Sequence, residues 1–368
     1  MMSALRNLFN STLAVADAAH PSPSLSMARS PSVKPTLETS PEDWPAFCCA
    51  LHRERLEING NFLCCPQGER FPVRQGIPRF VNEKTYADAF GAQWKRYRLT
   101  QLDSFTDVSI TEERMRRCLG EDLWQKLGGK HVLECGCGAG RFTEILLRRG
   151  ALVTSFDLSD AVEANQLSFP QSSTHLIAQA DILQLPFAPR QFDVVFCLGV
   201  IQHTPSPEST LRTLAEHVKP GGSLIIDHYT YTLSEFTKIS AVLRPFFKRL
   251  PPATGLQWTE QIVNTLLPLH KLVRRFRWAQ ALLSRISPII CYYHIYPHLS
   301  DEMQHQWALV DTHDSLTCWF RRFRTCSQIE RLMKSLGFEE IACWYGGNGV
   351  EARGKRPASS SAFNGALK

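Results

Sequence analysis

Residues 131–142, HVLECGCGAGRF, constrain the fold more than any other stretch of this 368-residue chain. An apolar-leaning run, His131 to Leu133, ends on an acid, Glu134. Gly136, Gly138 and Gly140 then alternate with small residues before an amphipathic pattern begins at Arg141. A buried parallel strand that runs into a glycine loop opening a helix is a ligand cradle. Without Cβ atoms the backbone can lie against a ligand, and the helix N-terminus presents free N–H groups. The dinucleotide fingerprint G-x-G-x-x-G fails here, because the sixth place counted from Gly136 is Arg141. The spacing E-x-G-x-G-x-G favours a smaller adenosyl ligand over a pyrophosphate and disfavours a dehydrogenase.

Between residues 128 and 228 the pattern alternates strand and helix. His131–Cys135 predicts the first strand. Arg141–Arg149 predicts a helix with Phe142, Ile145 and Leu146 on its inner face and a stop at Gly150. ALVTSFD, THLIAQAD, FDVVFCLGV and SLIIDH predict four more strands. Ser159 and Ser206-Pro207 read as helix starts, and Lys219-Pro220-Gly221-Gly222 as a break. Repeated strand–helix units require an α/β fold, a Rossmann-like doubly wound sheet that binds its ligand beyond the carboxyl ends of its strands. Three acids fall at those ends: Glu134, Asp157 and Asp181. Asp157 follows Glu134 by 23 residues, close to the separation at which a carboxylate meets a ribose diol in nucleotide-binding α/β folds. One such acid alone reads as a solvated loop carboxylate. Three of them, ending successive strands beside a glycine loop, point to one site.

At these residues the chain resembles the class I S-adenosylmethionine-dependent methyltransferases. The motifs ECGCGAG, SFDLS, QADILQLPF, FDVVFCLGVIQHT and LAEHVKPGGSLIIDH occur in the family's order. The resemblance implies S-adenosylmethionine as cofactor. It implies that Glu134 and the backbone of Gly136, Gly138 and Gly140 take the methionine end. Asp157 would take the ribose hydroxyls, with Leu158 against the adenine. Asp181 would accept from the adenine amino group with Ile182 beside the ring, and Leu198 and Gly199 would line the methyl-donor pocket. Glu134 stands where many relatives carry Asp, which preserves the charge. Further on, Thr325 and Gln328 predict a capping box opening a helix that stops at Gly337. FEEIACWY and GVEARGKR, on either side of Gly346-Gly347-Asn348, predict a hairpin. That hairpin resembles the family's reversed last strand pair and brings the sheet to seven strands.

Displacement at a sulfonium needs positioning and, for a hydroxyl or carbon acceptor, a base. His203, in GVIQHTP, is the candidate base, set against a structural role with its ring bonded to a neighbouring carbonyl. His228 and Tyr229, just past the fifth strand, are candidate substrate-side residues. The D/N-P-P-Y/F signature of amino methyltransferases is absent after the fourth strand. Its absence points away from DNA-base and glutamine-amide acceptors and towards an oxygen or carbon of a small-molecule, glycan or lipid-like acceptor. GVIQHTPSP and the DTHD segment at 311–314 resemble methyltransferases of bacterial surface-polysaccharide or secondary-metabolite pathways, and the ubiquinone C-methyltransferases less closely. The alternative is a catalytically silent S-adenosylmethionine-binding partner protein.

Residues 229–320 interrupt the core, which comprises 128–228 and 321–356, and are rich in helix formers. From 228 to 300 nine basic residues stand against Glu235 and Glu260, an excess of seven that exceeds the chain's whole formal charge of +6. Such a helical lid predicts an anionic acceptor or peripheral contact with an anionic membrane, against the simpler reading of a solvated face. No nucleic-acid-binding module is recognisable.

Three segments precede the core. Residues 1–43, rich in Ser, Pro and Ala, predict a disordered leader, with an organelle presequence as the rival. In residues 44–82 two short strands flank an Asn59-Gly60 hairpin signal, and Cys49, His52 and Cys64 offer three zinc ligands. The ending FPVRQGIPRF resembles the short zinc-ribbon family of tRNA-methyltransferase activator subunits. Alignment on Phe71-Pro72-Val73 puts Gln67, a poor ligand, at the last ligand position. Cys65 could substitute only if the register shifts, so the expectation is a ribbon-like module without metal. Residues 83–127 predict a helical connector whose Phe90, Trp94 and Tyr97 share one face. That face docks on the core in the simpler reading and closes over the cofactor mouth in the other. Residues 357–368 predict a disordered tail. Twelve cysteines scattered through module and core predict a reducing, cytoplasmic setting rather than a disulfide framework. No run approaches the roughly 18 to 20 apolar residues of a membrane span.

Overall fold

The computed structural model describes residues 44–81 and 84–358. The expected leader and residues 359–368 of the expected tail lie outside the described residues. The first unit is a four-stranded antiparallel sheet of β1 (Glu57–Asn59), β2 (Phe62–Cys64), β3 (Arg70–Arg74) and β4 (Ile77–Pro78), in that spatial order. Gly60, at φ +59°, turns β1 into β2 as the Asn-Gly signal predicts. This module is tied to the edge of the main sheet. Phe47 bridges Phe187, and buried Arg79 donates to Gln179 at 2.9 Å and to Glu163 at 3.0 Å.

The main sheet comprises β5 (His131–Cys135), β6 (Leu152–Asp157), β7 (His175–Gln179), β8 (Phe192–Cys197), β9 (Val218–His228), β10 (Glu339–Gly346) and β11 (Gly349–Lys355). Its spatial order is β10-β11-β9-β8-β5-β6-β7. β5 through β9 pair in parallel, and β11 runs antiparallel between β9 and β10, the reversed strand of the expected seven. Val132, Leu133, Val194, Val195 and Ile225 have no solvent exposure. A sheet covered on both faces needs such unbroken apolar runs, which is why they read as strands without alternation.

The crossover helices start and stop where their signals lie. The Pro207–His217 helix is capped by Ser206, whose Oγ accepts from the Ser209 N–H. The Cys326–Ser335 helix has the full Thr325–Gln328 capping box. One boundary differs. The expected break at Lys219–Gly222 ends the helix but belongs to β9, whose pairing with β8 shifts register between Phe192 and Val194. Gly221, at φ +75°, supplies the turn of backbone that this shift requires.

The insertion between β9 and the capping-box helix is helical: Leu233–Thr237, Ile239–Phe247, Pro252–Val273, Arg277–Ile286 and Asp301–Thr317. Leu256, Val263, Leu267, Ile289 and Leu309 give it a core of its own. The connector helix Asp88–Arg96 joins it to the sheet domain, with Gln93 accepting from Nδ1 of buried His313 at 2.8 Å. All twelve cysteines are free thiols. No helix among the described residues is long and apolar enough to cross a membrane.

Candidate active site

A cavity of about 530 Å³ opens at the carboxyl edge of the sheet, between the glycine loop and the insertion. The loop leaves β5 through Gly136 at φ +76° and Gly138 at φ +53°, conformations that suit residues without a Cβ. A Cβ on Gly136 would lie 2.3 Å from a Val200 methyl, and one on Gly138 would lie 3.2 Å from the Trp94 indole nitrogen. At the end of β6, Asp157 accepts from the Gly138 N–H at 3.0 Å and from the Ser159 N–H and hydroxyl at 2.8 and 2.7 Å. Burial pushes its carboxyl above the usual range, and these donors counter the shift.

The structure gathers most of the residues singled out in the sequence. Gly136, Gly138, Asp157 and Leu158 line the cavity beside the glycine loop. Ile182, Leu198 and Gly199 extend that wall, and His203 and Tyr229 face it from across the sheet. Four others do not line it. Glu134 lies opposite Ser155 in the β5–β6 register, so its carboxyl turns beneath the loop and accepts from Thr143 at 2.6 Å and Ser155 at 2.7 Å. Burial raises it to about 7, and its other oxygen has no hydrogen-bond partner. Gly140 is a packing glycine, since its Cβ would meet Phe169 at 2.7 Å. Asp181 accepts from the Leu183 N–H at 2.9 Å, which fixes the loop after β7. His228 is fully buried, with Nδ1 on the Tyr229 carbonyl at 2.9 Å and burial depressing it to about 4.

His203 makes the carbonyl contact that its structural reading expects. Its Nδ1 bonds the Phe320 carbonyl at 3.1 Å, so the ring proton sits on Nδ1 and the Nε2 lone pair is free. Nε2 lies 3.7 Å from Oδ2 of Asp314, on the insertion's last helix. Burial lowers the imidazole's proton affinity, while the Asp314 charge raises it. Phe90 and Tyr229 meet the ring edge-on, each with centroids 5.4 Å away. Arg321 stacks 4.8 Å over Tyr229.

Asp314 and Asp311 belong to the DTHD segment, but nothing in its spacing shows that one helix face carries both into the site. Asp311 accepts from the Tyr292 hydroxyl, and burial lifts its carboxyl to about 6. The connector's aromatic face divides: Phe90 and Trp94 line the cavity, whereas Tyr97 turns away to Glu260. None of the nine basic residues between 228 and 300 lines the cavity. Its cations come from elsewhere. Half-buried Arg141 donates to Gln101 at 2.7 Å and Thr111 at 3.2 Å and feels the charges of Asp311 and Asp103, and desolvation with Arg114 nearby lowers it to about 10.

S-adenosylmethionine fits these residues. The loop leaves no room for side chains at Gly136 and Gly138, Asp157 offers carboxylate oxygens suited to a diol, and the Arg141 guanidinium lines the cavity with neutral hydrogen-bond partners. The strand order, the reversed β11, the glycine loop and the acid ending β6 define a class I S-adenosylmethionine-dependent methyltransferase fold.

Comparison with known proteins agrees. Residues 133–226 match the family described as Methyltransferase domain. The chain is 40% identical over 101 residues to the ubiquinone biosynthesis O-methyltransferase of Azoarcus sp. (strain BH72), covering 27% of this chain and 43% of that one. It is 31% identical over 148 residues to the protein of the same name from Coxiella burnetii, covering 36% and 63%. It thus spans less than two thirds of either curated relative. Among solved structures, human N-acetylserotonin methyltransferase in complex with S-adenosylmethionine is 14% identical, with 75% of this chain and 60% of that one covered and a TM-score of 0.41. The chain carries a class I methyltransferase domain, and S-adenosylmethionine is its cofactor.

Proposed function

We propose that this protein is an active O-methyltransferase of small-molecule acceptors, with His203 as the base that receives the hydroxyl proton. The observation that carries the reading is the tautomer. The Phe320 carbonyl holds the ring proton on Nδ1 and leaves Nε2 as an acceptor on the cavity wall. Bound S-adenosylmethionine supplies a methyl group on a cationic sulfur already activated for displacement. On this chain, Asp157 holds the ribose diol, Leu158 and Ile182 flank the adenine, and Leu198 and Gly199 line the path of the methyl group. The Gly136–Gly138 backbone and Arg141 take the amino-acid end. Glu134 and Asp181 act from behind, by fixing the glycine loop and the loop after β7.

His203 Nε2 takes the proton as the acceptor oxygen attacks, and Asp314 stabilises the imidazolium that forms. Tyr229, Tyr292, Tyr296 and Trp307 present aromatic walls, which suit an acceptor with a flat, apolar body and an ionisable hydroxyl. The relatives' names specify O-methylation in ubiquinone biosynthesis, and oxygen is the atom brought from them to this chain. The insertion, rich in basic residues, also exposes Val242, Leu272, Trp278, Leu282 and Ile286, which supports peripheral contact with an anionic membrane and hence a lipid-like acceptor.

Incubation of the full chain with methyl-labelled donor and a panel of phenols and catechols, with and without anionic vesicles, tests the reading. Label on a phenolic oxygen supports it. Cofactor binding with label on no acceptor would support the silent binding partner instead.

A further inference from the structure

We propose that Cys49, His52, Cys65 and Glu69 bind one zinc ion and close the N-terminal module with a structural metal site. Two tight turns bring the donors together in pairs. The first carries Cys49 and His52, with the Arg53 N–H bonded to the Cys49 carbonyl at 2.8 Å and Arg53 at φ +59°. The second carries Cys65 and Glu69. There the Gly68 N–H bonds the Cys65 carbonyl at 2.9 Å, the Cys65 N–H bonds the Glu69 carbonyl at 2.8 Å, and Gly68 sits at φ +111°.

The four donor atoms all lie within 4.8 Å of one another. Nδ1 of His52 is 3.7 Å from Sγ of Cys49, 3.5 Å from Sγ of Cys65 and 2.9 Å from Oε2 of Glu69. Zinc–sulfur and zinc–nitrogen bonds of ordinary length set at a tetrahedral angle put sulfur and nitrogen about 3.5 Å apart, the separation found here. Two further observations point to an ion. Oε2 of Glu69 is a buried carboxylate oxygen that faces His52 Nδ1 at 2.9 Å, and the Cys49 and Cys65 thiols, buried among core residues, come within 4.8 Å of it.

The donor set corrects the expectation from sequence, which put the third ligand at Cys64 and the fourth at Gln67. Cys64 lies in β2, and Gln67 donates instead to Glu54 at 3.0 Å. The register moves by one residue to Cys65, and the carboxylate of Glu69, at the foot of β3, replaces the missing ligand. Four protein donors leave no coordination position for water or substrate, so the ion holds structure rather than taking part in catalysis. On binding, both cysteines become thiolates and release their protons. The structure held in this way is the strap that bonds the Pro186 carbonyl through Cys48 N–H at 2.8 Å and pairs Phe47 with Phe187, next to the loop that follows β7.

The test is metal content of the full chain, produced in zinc-supplemented medium and purified without chelator, by mass spectrometry of the elements. One zinc per chain is expected, lost in Cys65→Ser and in Glu69→Gln challenged with a chelating dye, and kept in Cys64→Ser. Trace zinc in the wild-type chain would overturn the proposal, as would a Cys49–Cys65 disulfide found by mass or loss of the ion in Cys64→Ser but not in Cys65→Ser. If Cys65→Ser does not fold, cobalt titration of the metal-stripped wild-type chain decides the question. The strong visible bands of tetrahedral cobalt with thiolate ligands support the site, and the weak spectrum of octahedral cobalt overturns it.

Discussion

His203 Nε2 faces Asp314 Oδ2 across 3.7 Å, while its Nδ1 is held by the Phe320 carbonyl at 3.1 Å. The two contacts come from different parts of the chain: one orients the ring, and the other would stabilise the charge the ring acquires in the proposed role of base. His203→Gln is expected to lower kcat by about 10²–10⁴ while leaving S-adenosylmethionine affinity within a few-fold. Asp314→Asn should show a smaller loss of the same kind. Because burial holds the imidazole below its ordinary value, the base form persists into acid, and turnover should fall only below about pH 6.5. Normal turnover in His203→Gln would remove that residue from the chemistry.

Asp157 is tied to the loop as well as to the cavity, since one oxygen accepts the Gly138 N–H and the other accepts twice from Ser159. Asp157→Ala removes the diol acceptor and unties the loop together. Calorimetric titration with S-adenosylmethionine is expected to show affinity reduced by roughly two orders of magnitude or more, as loss of charge-assisted hydrogen bonds at about 1.5–3 kcal/mol each implies. NAD should not bind either protein.

The sheet was legible in the sequence because each element carried local chemistry: a run of β-branched and aromatic residues, a Ser-Pro helix start, an Asn-Gly turn. The cavity wall beside the glycine loop was legible for the same reason, as its residues end consecutive strands. What stayed hidden depends on distant contacts. Asp314 reaches His203 from 111 residues further along the chain, which no periodicity encodes. Trp94 covers Gly138 because the connector packs against both the insertion and the sheet, so its face does more than dock. Glu134 ends the right strand, but its register opposite Ser155 turns the carboxyl away from the cavity. The nine basic residues of the insertion were countable, and the direction they face was not.

Glu134 also makes a prediction about stability. Its carboxyl is raised from an ordinary 4.5 to about 7 in the folded chain, so between those values the folded state holds a proton that the unfolded state has released. Its contribution therefore favours folding at low pH and is lost as pH rises through this window, by about 3 kcal/mol in all. Buried His175, His228 and His313, each depressed to about 4, act the other way and destabilise the fold as pH falls below about 6.5. Glu134→Gln removes only the first effect. Thermal unfolding followed from pH 7 to 5 should show the variant losing stability more steeply than the wild-type chain, and parallel curves would refute the assignment.

The Arg114–Asp227 ion pair ties the connector to the Gly199 side of the cavity. Asp227 is fully buried at the end of β9, where it accepts from the Gly199 N–H at 2.6 Å, from Asn348 at 3.2 Å and from the Arg114 guanidinium. Arg114→Met would leave that carboxylate without its cation in a dry environment. A cost of about 3–5 kcal/mol in urea unfolding is expected. Adding Asp227→Asn removes the uncompensated charge but keeps an acceptor for the Gly199 N–H, so the double variant should recover part of the loss. If the two substitutions instead add without coupling, the pair does not stabilise the fold as a unit.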